Sequence, residues 1–193
     1  MALIDQVQQQ ITGEHLSQLS RQLGIDEQQT REALPVALAT LTGAMARNTA
    51  QPQGAQQLAG ALAQHDGSIL DSLGGFLGSG NTGPGAAILG HILGNRQGNV
   101  TNGLGRATGL DAGTMAKLLA LLAPIVLGYL GRQQRQSNLD AGGLSDYLGG
   151  ERQRIEQNPQ ANKGLGSLLD ADGDGQILDD LMGMAGNFLG GKR

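Results

Sequence analysis

Residues 115–131 read MAKLLALLAPIVLGYLG and form the longest apolar run of the chain, bounded by Asp111 and Arg132. Some of its apolar side chains recur at helical spacing, and others fill the remaining faces of the same helix. The first set is Met115, Leu118, Leu119, Leu122, Val126 and Tyr129, and the second is Ala116, Ala120, Leu121, Ala123, Ile125 and Leu127. Because a helix that is apolar all round is surrounded by protein, this run predicts the buried central helix of the fold.

The same run can also be interpreted as a membrane span. About 17 residues rising about 1.5 Å each reach only ~25 Å, short of the ~20 apolar residues that a bilayer core needs, so we favour the buried helix. Pro124 lies inside the run, where it removes one backbone hydrogen bond and crowds the preceding turn. We therefore expect a kink or a split into two helices near Leu122.

The composition argues against several kinds of chemistry and partner and favours one fold class. The 193 residues include 33 glycines, two tyrosines, two phenylalanines and no cysteine, and the net charge is −4. The absence of cysteine excludes disulfides and thiolate chemistry. Without a concentrated basic face, nucleic-acid binding is not expected. Few β-branched runs and no alternating apolar segments predict an all-α, multi-helix bundle with glycine-rich loops.

The first 47 residues predict three helices. Residues 1–23 indicate two short amphipathic helices with a break near Gly13. Asp26 is expected to cap the next helix, which runs to Arg47, and Gln29 completes a capping box. Helix, glycine turn and helix also form the outline of a DNA-binding helix-turn-helix, but the second helix has too little positive charge to hold phosphates.

Residues 67–113 are rich in glycine. We expect GSGNTGPG, residues 78–85, to be a mobile loop, because this segment cannot form a regular helix. Gly90, Gly94 and Gly98 recur every four residues, which leaves bare backbone on one helix face and lets another helix approach closely. That face is interpreted either as internal packing or as a self-association surface.

An internal repeat, offset by 85 residues, relates residues 16–47 to residues 101–132. It predicts two pseudo-symmetric helical halves whose long apolar helices face each other at the centre. Pro35 and Pro124 do not coincide at this offset. The matched pairs are Leu19 with Leu104, Arg21 with Arg106, Gly24 with Gly109, Asp26 with Asp111, Leu34 with Leu119, Gly43 with Gly128 and Arg47 with Arg132.

We expect three parts along the chain. Residues 1–150 form the helical body, and residues 151–163, ERQRIEQNPQANK, are almost wholly polar and predict a tether. Residues 164–193 then form a separate unit, made of a calcium loop followed by a helix.

The calcium loop is predicted from residues 170–175, DADGDG, because alternating carboxylates followed by a glycine suit a chain that wraps around one hard cation. Its twelfth position, normally a bidentate acid, is Leu181, so we expect a shorter loop closed by Asp180. The alternative is that these acids only solvate a turn and cap the following helix. The candidate Ca²⁺ ligands are Asp170, Asp172, Asp174, Gln176 through its backbone carbonyl, Asp179 and Asp180.

No other constellation predicts chemistry. His15, His65 and His91 are far apart in sequence and lack ligand spacing, so each is interpreted as a surface or packing residue. No cluster combines a nucleophile with a base, and we expect no catalytic residues.

The chain resembles the bacterial family labelled domain of unknown function 937. The resemblance covers nearly the whole chain and implies a helical protein rich in small residues, without established catalytic residues. It rests on residues 24–26 (GID) with 33–35 (ALP), 88–94 (ILGHILG), 109–111 (GLD) leading to 118–119 (LL), 122–126 (LAPIV) and Gly128, and 169–175 (LDADGDG) before Asp179 and Asp180.

These observations together predict a non-enzymatic interaction or self-assembly protein with a calcium-binding C-terminal loop. The expected partner is a second copy or another protein. A membrane-surface protein and a helix-turn-helix DNA binder are the alternatives. The N-terminus, MALIDQVQQQ, has no basic stretch followed by an apolar core, so the expected location is the cytoplasm.

Overall fold

The computed structural model describes residues 3–65, 67–159, 161, 162 and 166. Within these residues the regular elements are all helices and no strand is present, which confirms the predicted all-α fold. The elements in chain order are α1 (Leu3–Gln10), α2 (Glu14–Leu23), α3 (Glu27–Thr49), α4 (Pro52–Ala63), α5 (Ser68–Asp71), α6 (Leu73–Ser79), α7 (Gly83–Leu93), a 3₁₀ helix (Gly94–Arg96), α8 (Gln97–Thr108), α9 (Ala112–Ser137) and α10 (Ala141–Glu156).

The centre of the fold is α9, the helix predicted from the apolar run. Its side chains are buried from Leu118 to Gly128, and α3, α7, α8, α5 and α4 pack around it. The second long helix, α3, is buried from Ala33 to Ala46 and contacts both α9 and α10. Burial of apolar side chains on every face of α9 supplies the main driving force for this arrangement.

Of the kink or split predicted near Leu122, the split is wrong, because α9 is one helix from Ala112 to Ser137 with Pro124 inside it, and the kink stays a prediction. In a regular helix the Ala120 carbonyl oxygen would accept the N–H of residue 124, which proline lacks. That oxygen instead lies against the backbone of Gly85 in α7. Packing by the surrounding helices therefore holds α9 together across a position that would weaken it in isolation.

The predicted break near Gly13 and the capping box at Asp26 are confirmed. Gly13 separates α1 from α2, and the Asp26 carboxylate accepts a hydrogen bond from the Gln29 N–H at 2.8 Å. The α8–α9 junction has matching geometry. Gly24 and Gly109 have φ angles of 74° and 75°, and the Asp111 carboxylate accepts from the Thr114 N–H at 2.9 Å. The wider internal repeat stays a prediction.

The prediction of a loop over residues 78–85 is wrong for most of this segment. The helix α6 extends to Ser79 and α7 starts at Gly83, so only residues 80–82 lie outside helices. Gly80 ends α6 with a φ angle of 61°, a left-handed conformation that glycine adopts without strain. Pro84 lies in the first turn of α7, where its missing N–H costs no helical hydrogen bond.

The segment predicted as a tether, residues 151–163, is helical up to Glu156. Glu151 is only 1% exposed, and its carboxylate accepts the backbone N–H of Leu3 at 2.7 Å and pairs with Arg154 at 2.5 Å. Ile155 is also buried. Residues 151–156 therefore belong to the packed body. Within them, the Glu151 carboxylate satisfies the backbone N–H of Leu3 at the start of α1. The wider division of the chain into three parts stays a prediction.

We predict that Glu151→Ala lowers the free energy of unfolding by about 1–3 kcal/mol, because it leaves the buried Leu3 N–H without an acceptor. The matched control is Glu156→Ala in the same helix, which removes an exposed i,i+4 pair with Arg152. Its expected effect is within about 0.5 kcal/mol. Urea denaturation measures both, and equal losses would contradict the role assigned to Glu151.

A second readout is specific to the charge of Glu151. Burial and the negative charge of Glu151 together raise the pKa of Tyr147 to about 12, against a smaller lowering by the positive charge of Arg154. Glu151→Ala should therefore lower the pKa of Tyr147. Absorbance titration in a Tyr129→Phe background follows this tyrosine alone, because the chain has two.

We predict opposite effects for two glycine substitutions in α7. A Cβ at Gly85 would overlap the backbone of Ala120, so Gly85→Ala should cost about 1–3 kcal/mol of stability. A Cβ at Gly90 would meet no atom of the same chain within 4 Å, so at low protein concentration, where the chain is monomeric, Gly90→Ala should stabilise it by about 0.5–1 kcal/mol through helix propensity. Denaturation of both variants checks this, and a neutral Gly85→Ala would refute the close approach of α7 to α9.

Candidate interaction surface

The candidate metal ligands lie outside the described residues. This holds for Asp170, Asp172, Asp174, Gln176, Asp179 and Asp180, so the calcium loop stays a prediction from the sequence. Among the residues that the structure does describe, no group of three or more His, Asp or Glu side chains is placed to hold a metal ion.

The three histidines lie on separate elements. His15 is in α2, where its Nδ1 is 2.7 Å from the Gln10 carbonyl oxygen. His65 follows α4, and its carbonyl oxygen accepts a hydrogen bond from Arg135. His91 is exposed on α7. Their surroundings agree with packing and surface roles.

The described surface includes two long stretches without Asp, Glu, Lys or Arg, at residues 48–65 and at residues 72–95. Residues 72–95 contain no Asp, Glu, Lys or Arg, and they include all of α6 and α7. In α7 the buried side is made by Gly85, Leu89 and Leu93. We define the α7 surface as the opposite side, which consists of the exposed residues Ala86, Ala87, Gly90 and His91 with the half-buried Ile88 and Ile92.

The orientation of α7 is set by its inner side. Gly85 lets the helix lie against the Ala120 backbone of α9, and Leu89 and Leu93 enter the common core. At its C-terminal end, the Asn48 side-chain amide donates a hydrogen bond to the Ile92 carbonyl oxygen at 3.0 Å. Because these contacts fix the helix at both ends, the α7 surface is presented outward in a defined position.

The four-residue glycine spacing does not continue along one helix. The helix α7 ends at Leu93, and Gly94 has a φ angle of 56°. Gly90, Gly94 and Gly98 are all exposed, and a Cβ at any of them would meet nothing within 4 Å. The interpretation of this spacing as internal packing is therefore wrong. The self-association interpretation stays a prediction and applies to Gly90 within the α7 surface.

Sequence analysis missed Ala86 and Ala87 as surface residues. The available signal was the lack of any charged residue between Asp71 and Arg96. An uncharged stretch is ambiguous in a sequence, because it describes equally well a buried helix and an exposed apolar face. The close approach at Gly85 decides which side of α7 is buried.

One described helix, α9, is long and apolar enough to cross a membrane by length and composition. Within its most apolar 18-residue window, 72% of the residues are buried inside the protein. A core helix passes the same test, so this feature is weak support for a membrane span.

Comparison with known proteins yields one match. The family described as bacterial protein of unknown function (DUF937) matches residues 5–133, more than half of the chain. The matched range begins within α1 and ends within α9. No curated protein and no solved structure matches the chain.

Proposed function

Because this chain belongs to the bacterial family of unknown function DUF937, which brings no activity with it, we propose from its own residues that it is a non-enzymatic, self-associating helical protein. A calcium-binding C-terminal loop and a cytoplasmic location are further parts of this proposal. The observation that carries self-association is the α7 surface, an exposed helix face that contains Ala86, Ala87 and Gly90 and has no Asp, Glu, Lys or Arg.

Charge favours a second copy as the occupant of this surface. Each chain carries a net charge of −4, so two copies repel one another over most of their surfaces. Repulsion is weakest where no charged side chain is present, and residues 72–95 provide such a region. Apolar contacts can then form without the cost of removing charges from water.

The shape of the α7 surface favours contact between identical helices. Ala87 and His91 lie opposite the buried Leu89, and Gly90 and Ala86 lie along one side of them, so two copies of α7 can bring their backbones close together on that side. A two-fold axis through this contact uses the same patch on both chains and closes the assembly as a dimer. Ile88 and Ile92, which are half-buried, add apolar area at the border.

We predict that Gly90→Glu weakens self-association at least tenfold, because it places one negative charge from each chain in the contact (about 1.4 kcal/mol). The matched control is Gly149→Glu on α10, which is also exposed and also has no atom within 4 Å of an added Cβ. Light scattering over a concentration series should give a mass of twice 19.9 kDa for the parent and for Gly149→Glu. A parent chain that stays at 19.9 kDa at about 100 μM, the weak end of specific association, would remove this proposal.

For the C-terminal loop, the support is the carboxylate pattern of the sequence alone. Asp170, Asp172 and Asp174 would bind Ca²⁺ through side chains, Gln176 through its carbonyl, and Asp180 with Asp179 beside it would close the loop. Binding neutralises a cluster of negative charges and couples the ion to ordering of the helix that follows. That helix would then dock on the same chain or on a neighbouring copy.

We predict that Asp174→Ala weakens calcium binding at least tenfold, because it removes a side-chain ligand and one negative charge. Calorimetric titration with CaCl₂ measures the affinity. Asp146→Ala, which removes an exposed aspartate of α10, is the control for loss of charge elsewhere. If Asp174→Ala and the parent release equal heats, the loop does not bind calcium.

Two alternatives remain proposals of a different class. Attachment to a membrane surface would use the same apolar α7 residues, although this helix lacks the Lys and Arg that bind anionic lipids. Co-sedimentation with liposomes, with and without calcium, separates this alternative. A DNA-binding helix-turn-helix would use α3, but burial from Ala33 to Ala46 leaves only its first turns and its last residues near Arg47 accessible, so the middle of the helix cannot enter a groove.

A further inference from the structure

The α7 surface contains one side chain that can change its charge near neutral pH. This side chain is His91, because residues 72–95 include no other histidine and no Asp, Glu, Lys or Arg. His91 is exposed and belongs to the last turn of α7. At about 3.6 residues per turn it lies on the side of the helix opposite the buried Leu89. It is therefore inside the region proposed to contact a second copy.

The charged groups around α7 are mostly cations. The elements that pack against α7 are α9, α3, α8 and the 3₁₀ helix. Their basic side chains are Arg31 and Arg47 on α3, Arg96 on the 3₁₀ helix, Arg106 on α8, and Lys117, Arg132 and Arg135 on α9, which also carries Tyr129. At neutral or mildly acidic pH none of these groups is negatively charged, so none can balance a positive charge on His91.

The carboxylates of the same elements are far from the C-terminal end of α7. Glu27 and Glu32 belong to the first turns of α3, whereas Asn48, near the other end of α3, donates a hydrogen bond to the last turn of α7. At about 1.5 Å per residue, Glu32 and Asn48 are about 24 Å apart. Asp111 caps α9 and is separated from α7 by α8, whose 12 residues span about 18 Å. A proton on His91 therefore has no acid partner on the described elements that pack against α7.

We propose that protonation of His91 controls self-association through the α7 surface, so that the dimer forms with neutral histidines and dissociates as the pH falls. This inference rests on the proposed self-association. In a contact between two α7 surfaces, a charged imidazole would lose water without gaining an acid partner. A two-fold dimer would contain two such charges, one from each copy. Protons therefore favour the separate chains.

The direction and size of the effect follow from proton linkage. Because the contact disfavours the charged imidazole, the separate chains bind the protons more strongly than the dimer does. The dimer is therefore most stable above the range in which histidine ordinarily gains its proton, and it weakens as the pH falls through that range. At about one pH unit below the ordinary histidine value of about 6.5, each of the two histidines raises the dissociation constant by up to about tenfold.

The overall charge of the chain predicts the opposite pH dependence. The net charge of −4 counts the three histidines as neutral, so their protonation brings the chain closer to zero charge. General repulsion between two copies then becomes weaker, which would tighten the dimer in acid. The direction of the change therefore distinguishes a histidine inside the contact from the charge of the whole chain.

The test measures the dissociation constant of the intact chain by light scattering over a concentration series, at about pH 7.5 and about pH 5.5 and at equal ionic strength. The parent dimer should weaken at least tenfold at the lower pH. His91→Gln keeps a neutral polar side chain at both pH values, so its dimer should not weaken. The matched control is His65→Gln, which removes the histidine that follows α4 and should weaken as the parent does.

A further variant fixes the charge. His91→Arg carries a positive charge at both pH values, so its self-association should be weak at both. A parent chain that is monomeric at the higher pH would remove the proposed function and this inference with it. A parent dimer that is equally strong or stronger at the lower pH would overturn the role of His91 and leave self-association standing. The same conclusion would follow if His91→Gln weakened as much as the parent, or if circular dichroism showed loss of helix together with loss of the dimer.

Discussion

The packing of α7 on α9 is the contact on which the rest of the structure depends. At Gly85 the backbone of α7 lies against the Ala120 carbonyl oxygen, the group that Pro124 leaves without its helical donor. Only glycine permits this approach, since any Cβ would overlap Ala120. The proline and the glycine therefore act as a pair: one interrupts the hydrogen bonding of the central helix, and the other brings a covering helix to the same place.

The packing of the neighbouring helices on α9 also decides which of their side chains are exposed. Because this helix is apolar on all sides, every neighbouring helix must turn its own apolar side inward. For α7, whose residues are almost all apolar or small, the outward side is then also uncharged. The proposed self-association follows from this geometry. One face of α7 packs in the core, and its opposite face, which also lacks Asp, Glu, Lys and Arg, is available to contact a second copy.

The helix α10 shows that the folded body extends beyond the range matched by the family. The match ends at residue 133, yet α10 packs on α3 and α4, and its buried Glu151 binds the first turn of α1. One helix thus joins the N-terminal end of the described chain to its C-terminal part and contributes to the stability of the body.

The sequence by itself determined the helical class, the buried central helix, the break at Gly13 and the capping box of Asp26, because these depend on spacing and on contacts within a few residues. Only the tertiary structure decided the continuity of α9 at Pro124, the helical course of most of residues 78–85, the burial of Glu151 and the exposure of Gly90. In each of these cases the local preference of the chain is weak or unfavourable, and contacts with segments far away in sequence supply the free energy that overrides it.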